Sequence, residues 1–407
     1  MTDIRFRELS SRGAGFWLLL AALSGLVLLG LGSALYMEHN GHYVTGMSNQ
    51  IVWGMPHVFA VFLIVAASGI LNVASIGTVF NKELYKPLGR LSGLMANALL
   101  AGGLAILVLD LGRPDRLIVA MTHYNFKSIF AWNIFLYSGF FVIVFVYVWF
   151  MMERRMRRYY PAAGFVAFIW RLALTTGTGS IFGFLVARQA YDAAVMAPMF
   201  ILMSFSFGLA IFVLALRALC ISTGWQLGDA VAQRLKNLLA LFVAGVMYFV
   251  TVFHVTNLYS AEHQAVERFI LLEGGIYTFL FWFGYFIVGS VIPLILLYHP
   301  KLSHSRRSMA SAAALVIVGG FALMYVIIIG GQAFPLVIFP DMEVTGSTFY
   351  DGVVNGFTPS LPEIGLGIGG MAIAAVIVML SIKLLRFTPE SMSDEVMLPR
   401  VSADSAH

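Results

Sequence analysis

Apolar stretches of about twenty residues, the length needed to cross the hydrocarbon core of a bilayer, recur along the whole chain and are separated by polar connections. Ten can be read: Gly15–Met37, His57–Phe80, Leu88–Asp110, Ala131–Met152, Gly164–Ala187, Pro198–Cys220, Leu238–Tyr259, Gly275–Tyr298, Ala310–Gly330 and Ile364–Leu385. Apolar residues run continuously within each and do not alternate, which predicts spanning helices and not barrel strands. The expected fold class is all-α and integral to the membrane: one ten-helix domain over residues 15–387, with polar tails at 1–14 and 388–407.

Residues four spans apart match. Span 2 opens with Pro56 and span 6 with Pro198, each followed by a Phe-rich run and a later glycine, Gly69 and Gly208. Span 4 carries Trp132 and Gly139, and span 8 carries Trp282 and Gly289 at the same interval. Such spacing predicts two four-helix bundles, spans 2–5 and 6–9, flanked by spans 1 and 10.

Composition agrees: 60% of residues are hydrophobic and 11% charged, far from any soluble globular domain. The net charge of +5 does not point to nucleic acid, because the cations sort by side. One side receives Arg5, Arg7 and Arg12, Lys82, Lys86 and Arg90, Arg154 to Arg158, Arg217, Arg234 and Lys236, Lys301, Arg306 and Arg307, then Lys383, Arg386 and Arg400. The other receives Arg113, Arg116, Lys127, Arg188 and Arg268. By the positive-inside bias both termini are cytoplasmic. The first span has no small-residue cleavage site and reads as a retained anchor. One cysteine, Cys220, leaves no set of thiolates for an iron–sulfur cluster held by this protein alone.

Two outer loops, Glu38–Pro56 and Gly331–Pro362, are long, rich in Gly, Pro and aromatic residues, and free of Lys and Arg; the second carries Asp341, Glu343 and Asp351. Loops of that length are usually functional, the alternative being simple solvation.

The densest chemistry is DLGRPDR, Asp110 to Arg116, where span 3 ends. Ionisable groups at a bilayer boundary persist where they pair or handle protons. Asp110 is expected to pair with one of the neighbouring arginines, either as a structural salt bridge or as a proton-exchanging carboxylate. His57 opens span 2 and His254 lies in the last turns of span 7, both near the outer face. There an imidazole can hydrogen-bond a quinone carbonyl and exchange its proton, hold a haem axially, or simply bond between helices; a buried haem needs two facing imidazoles. The remaining histidines fall in loops or tails. Other polar groups at the outer level are His123, Tyr124 and Asn125, Arg188, Tyr191 and Asp192, and Asn257, Tyr259 and Glu262. They suit a site for a lipid-soluble substrate and equally suit interfacial anchoring. Arg171, two turns into span 5, is expected to snorkel to the inner interface, with a place in a proton path as the alternative. No phosphate-binding loop, metal-ligand spacing or nucleophile motif is present.

DLGRPDR, followed by Asn125, Phe126, Lys127, Ser128 and Trp132, resembles the signature of the NrfD/PsrC superfamily, the polysulfide reductase membrane subunits. Further matches are Thr176 to Gly179 and the Ala197, Pro198, Phe200, Ser204, Gly208 pattern. Ten helices, the Gly330, Gly331, Gln332, Pro335 run and Pro359, Pro362, Glu363 resemble its long branch, the DsrP group. The resemblance implies two four-helix bundles in a bacterial inner membrane and a subunit not catalytic alone. It implies quinone, menaquinone or ubiquinone, as substrate at the outer face, and no haem or iron–sulfur cluster bound by the protein itself. Its implied partners are a periplasmic ferredoxin-like iron–sulfur subunit, other haem and iron–sulfur subunits of one complex, and membrane lipids. His57, Asp110 and His254 would then carry the proton chemistry, and Arg113, Tyr124, Asn125, Arg188 and Asn257 would bind the quinone. Span 8 departs from some relatives in lacking an embedded carboxylate. The competing classes are a secondary transporter, which would place its polar site near the midplane, and a structural anchor.

Overall fold

The computed structural model describes residues 6–9, 13–225, 227–335, 353–391 and 393–394; Asp341, Glu343 and Asp351 of the second long loop, and Arg5, Arg12 and Arg400, lie outside the described residues. Among the described residues ten helices are long and apolar enough to cross a bilayer: α1 (Ala14–Asn40), α2 (Met55–Thr78), α3 (Glu83–Leu109), α4 (Ile129–Met152), α5 (Tyr160–Gly183), α6 (Met196–Thr223), α7 (Asp229–Tyr259), α8 (Ile276–Tyr298), α9 (Arg306–Ala333) and α10 (Leu361–Leu384). The protein is multi-pass, all-α and membrane-embedded. The expected boundaries agree within a few residues except in α7, whose first turns, from Asp229, carry Arg234 and Lys236 and so fall outside an apolar run.

Packing follows the repeat. Helices α2 to α5 close one ring of neighbours and α6 to α9 another, joined where α2 and α5 meet α6 and where α2 meets α9. Gly69 and Gly208 are the contact between α2 and α6: a Cβ on Gly69 would collide with the Ser204 carbonyl, and one on Gly208 with the backbone at Gly69 and Ile70. Equivalent residues of two halves meeting each other is what a pseudo-twofold axis produces. The tryptophans repeat as well, since Trp132 Nε1 donates to Phe126 O (2.8 Å) and Trp282 Nε1 to Leu271 O (2.9 Å), each tying its helix to the loop before it.

The two flanking helices lie outside the bundles, as expected, and together on one side. Helices α1 and α10 pair with each other, Gly30 against Gly369, and α10 lies on α2 and α3, so both belong to the first bundle's side. At the Arg-rich end the tails meet: β1 (Phe6–Arg7) pairs antiparallel with β2 (Thr388–Pro389). Arg171 does not snorkel. It is 1% exposed, donates from Nη2 to Asn72 Oδ1 (2.9 Å), and lies between the rings of Phe168 and Phe205. Asn72 and the two aromatic faces hold the guanidinium inside the protein, which outward extension would forfeit.

Candidate functional site

At the Arg-poor end, the loop between α1 and α2 is folded back onto the helix ends by two buried side chains. Glu363 completes a capping box at the start of α10, its Oε2 accepting the Ser360 N–H at 2.8 Å. The same oxygen accepts from Gly46 N (2.8 Å), and Oε1 accepts from Met55 N (3.2 Å), so one carboxylate serves the starts of α10 and α2 and the loop that leads into α2. Gln332 Oε1 accepts from Val52 N (3.0 Å) and Trp53 N (3.1 Å), while its Nε2 donates to Trp53 O (3.0 Å) and Ile328 O (2.7 Å). Ile328 belongs to a π-helical turn, Val326–Gly330, and its carbonyl also accepts from the Tyr191 hydroxyl (2.8 Å). Arg188 bridges the two sides, donating to Gln50 O (2.7 Å) and Gln332 O (2.9 Å).

This frame seats Trp53 beside His57, their ring centroids 6.3 Å apart and 29° from parallel, with Phe130, Phe182 and Tyr191 around the indole. Asp110 follows the last residue of α3. Its carboxylate is 2% exposed, with Oδ2 3.2 Å from His57 Nδ1 and Oδ1 3.8 Å from His42 Nε2. His42 Nε2 bonds the Asp110 backbone carbonyl at 2.9 Å. Neither carboxylate oxygen nor His57 Nδ1 has an aligned hydrogen-bond partner among the described residues. A buried polar group left in that condition has bonding capacity for a ligand. Burial, and after it the charge of Glu363, pushes the Asp110 carboxyl up to about 7, so it can change protonation near neutral pH.

The expected ion pair between Asp110 and an arginine is not formed. Arg113 instead donates to both oxygens of Asp115 (3.1 Å each), two residues away, and both side chains are exposed. Pro114 starts a short helical turn that carries the arginines off the end of α3 into solvent.

A second acid–imidazole pair lies in the second bundle. Glu267, in the connection after α7, accepts from Asn257 Nδ2 at 2.9 Å and lies 2.6 Å from His254 Nδ1. Both carboxylate oxygens are committed and the side chain is 2% exposed. Beside it is a cavity of about 30 Å³ walled by Met196, Met199 and Phe253, enough for water and far too small for a quinone ring. The structure therefore separates His254 and Asn257 from His57 and Asp110. The two imidazoles, each turned to its own carboxylate in its own bundle, do not form the facing pair a haem would need.

The other expected residues divide. Arg188 belongs to the frame under Trp53. Tyr124 packs edge-on against Phe126 and Phe135 (4.9 Å each), and Asn125 Oδ1 accepts from Lys127 N (2.9 Å), closing a turn. Sequence reasoning does not single out His42, Trp53 or Glu267, and reads Gln332 and Glu363 only as marks of a family branch, not as parts of the site. The spacing Ser360 to Glu363 before an apolar run is a capping box and was a usable signal; His42 sat in a loop already marked by its length. Among the described residues no group of three His, Cys, Asp or Glu side chains is placed to hold a metal.

Comparison with known proteins matches residues 43–336 to the family described as polysulphide reductase, NrfD. Similar proteins include the Hdr-like menaquinol oxidoreductase integral membrane subunit of Archaeoglobus fulgidus, 29% identical over 97% of this sequence and 99% of that one. Another is the menaquinone reductase integral membrane subunit of Nitratidesulfovibrio vulgaris, 22% identical over 89% of each sequence. A third, the protein NrfD of Escherichia coli, is 24% identical over 70% of this sequence and 96% of its own length. With the matched segment covering more than two-thirds of its length and containing both acid–imidazole pairs, this protein belongs to the NrfD polysulphide reductase family.

Proposed function

We propose that the protein is the quinone-reactive membrane subunit of a multisubunit oxidoreductase. The observation that carries the reading is the Asp110 carboxylate, buried, unaligned with any partner, raised toward neutral pH and set between two imidazoles. A quinol hydroxyl placed against Asp110 gives up its proton to the carboxylate. His57, held by the Trp53 face, bonds the substrate's oxygen and fixes its orientation. Beside it His42, which donates Nε2–H to the Asp110 backbone carbonyl and has 31% of its side chain exposed, lines the opening through which water takes the proton from Asp110. Oxidation of one quinol releases two protons by this route and two electrons; the electrons go to an iron–sulfur cluster of a partner docked on the Arg-poor face. Reduction of quinone runs the same steps backwards. Relatives named for menaquinol oxidation and for menaquinone reduction support both directions.

The charge bias supports a reading with the Arg-poor face in the periplasm and both termini in the cytoplasm of a bacterial inner membrane. The ten-helix length and the Glu363 region support a DsrP-like role in sulfur metabolism beside other haem and iron–sulfur subunits. The test is quinol binding and oxidation by the purified complex carrying Asp110→Asn or His57→Ala, with subunit content confirmed equal. Loss of turnover in intact complexes is expected; unchanged turnover would leave the protein a scaffold.

A further inference from the structure

The Arg-rich end of the second bundle contains a cavity of about 400 Å³ between the end of α6 and the starts of α7 and α9. It is more than ten times the size of the cavity beside Glu267 and its polar lining is unbalanced in a particular way. Each carboxylate on the lining already holds donors of its own. Asp394, from the C-terminal tail, takes the backbone N–H groups of Asp229 (2.8 Å) and Ala230 (3.1 Å), and Asp229 is paired with Arg306.

Not all of the donors are taken up. Arg217 forms no hydrogen bond or ion pair among the described residues. Arg306 uses Nη2 on Leu227 O (2.8 Å) and Asp229, while its Nη1 is buried without a partner among the described residues. Trp225 Nε1 is likewise buried without a partner among them, and the guanidinium of Arg7 stands 5.1 Å from the centre of the indole ring. Val213 and Met309 supply apolar wall. Buried N–H groups in this state call for an acceptor, and guanidinium groups fit phosphoryl oxygens best.

We propose that this cavity binds a phosphate-bearing anion, the headgroup of an anionic phospholipid, with Arg217, Arg306 Nη1 and Trp225 Nε1 as its donors. Basic cavities between helices on the cytoplasmic side suit such headgroups. Val213 and Met309 offer apolar contact beside the donors, and Arg7 of β1 stacks on the Trp225 ring at the cavity's edge. The site lies at the opposite end of the helices from Asp110 and does not depend on the quinone reading.

The test is titration of the delipidated complex in detergent with phosphatidylglycerol, phosphatidylcholine and, at constant ionic strength, inorganic phosphate. Wild type should prefer phosphatidylglycerol to phosphatidylcholine. Arg217→Gln should weaken that binding about tenfold, the loss of a charge-assisted hydrogen bond, and Arg217→Lys should recover most of it. Arg234→Gln, an exposed charge at the same end, should leave it unchanged. If inorganic phosphate alone shows the Arg217 dependence, the anion site stands and its source is free phosphate. Equal affinity in wild type and Arg217→Gln for both probes, or an equal loss in Arg234→Gln, overturns the proposal.

Discussion

The two bundles carry the same pair of groups, a carboxylate and an imidazole at the Arg-poor end, and put them in opposite conditions. In the second, Glu267 has both oxygens bonded, to His254 and Asn257, beside a cavity too small for anything but water. In the first, Asp110 has two imidazoles within ion-pair reach, no aligned bond, and neighbours that open to the surface: the His57 and His42 side chains are 25% and 31% exposed. A satisfied buried carboxylate holds structure, whereas an unsatisfied one at a surface opening is equipped to take a ligand and a proton. The two pairs sit at different places in their bundles, and the hydrogen bonds around each carboxylate separate the bonded one from the one with capacity left for a ligand.

The sharpest break in that comparison comes from removing each acid by an isosteric amide. Asp110→Asn should lower quinol-dependent turnover by about 10²- to 10⁴-fold, the range for a lost acid–base group, while leaving subunit content and thermal stability near wild type. Glu267→Gln should do the reverse. Turnover per assembled complex stays close to wild type, and the midpoint of thermal unfolding in detergent falls, because a charge-assisted bond worth roughly 1.5–3 kcal/mol is lost from a buried site. His57→Gln tests the wall of the first site: steady-state kinetics should show a higher quinol KM together with lower turnover, by about tenfold in kcat/KM, one hydrogen bond to substrate.

The pH profile sharpens the contrast further. With its carboxyl near 7, Asp110 accepts a quinol proton only when ionised, so quinol oxidation should rise with pH through about 7 and quinone reduction should fall through the same interval. That inflection should vanish in Asp110→Asn and survive in Glu267→Gln. The smallest effect is expected from His42→Asn, which removes the bond to the Asp110 backbone carbonyl at the opening; a few-fold loss of turnover with the pH inflection retained would mark a positioning role.

The ten helices were legible because length and continuity of apolar residues are what a bilayer demands, and the repeat because Gly69 and Gly208 meet at the bundle junction. His57 and Asp110 were legible because charge at the end of a span is costly enough to need a reason. Their mutual contact was not, since it joins helices through tertiary packing, and the nearby arginines offered a more local partner that the turn at Pro114 removes. Glu267 was hidden among Glu262, His263 and Arg268, a run that reads as a solvated loop; the fold buries Glu267 and exposes Glu262. Arg171 was misread for a related reason. Its compensation, Asn72 on α2 and two aromatic rings, lies about a hundred residues away in part and carries no charge that would draw notice.

The central claim is that the first bundle, and not the second, holds the reacting carboxylate. The most direct measurement is quinol oxidation by complexes carrying Asp110→Asn or Glu267→Gln, normalised to complexes shown by subunit content to be fully assembled. The account predicts near-abolished turnover for Asp110→Asn and near-wild-type turnover for Glu267→Gln. Wild-type turnover in Asp110→Asn, or equal losses in both, would contradict it.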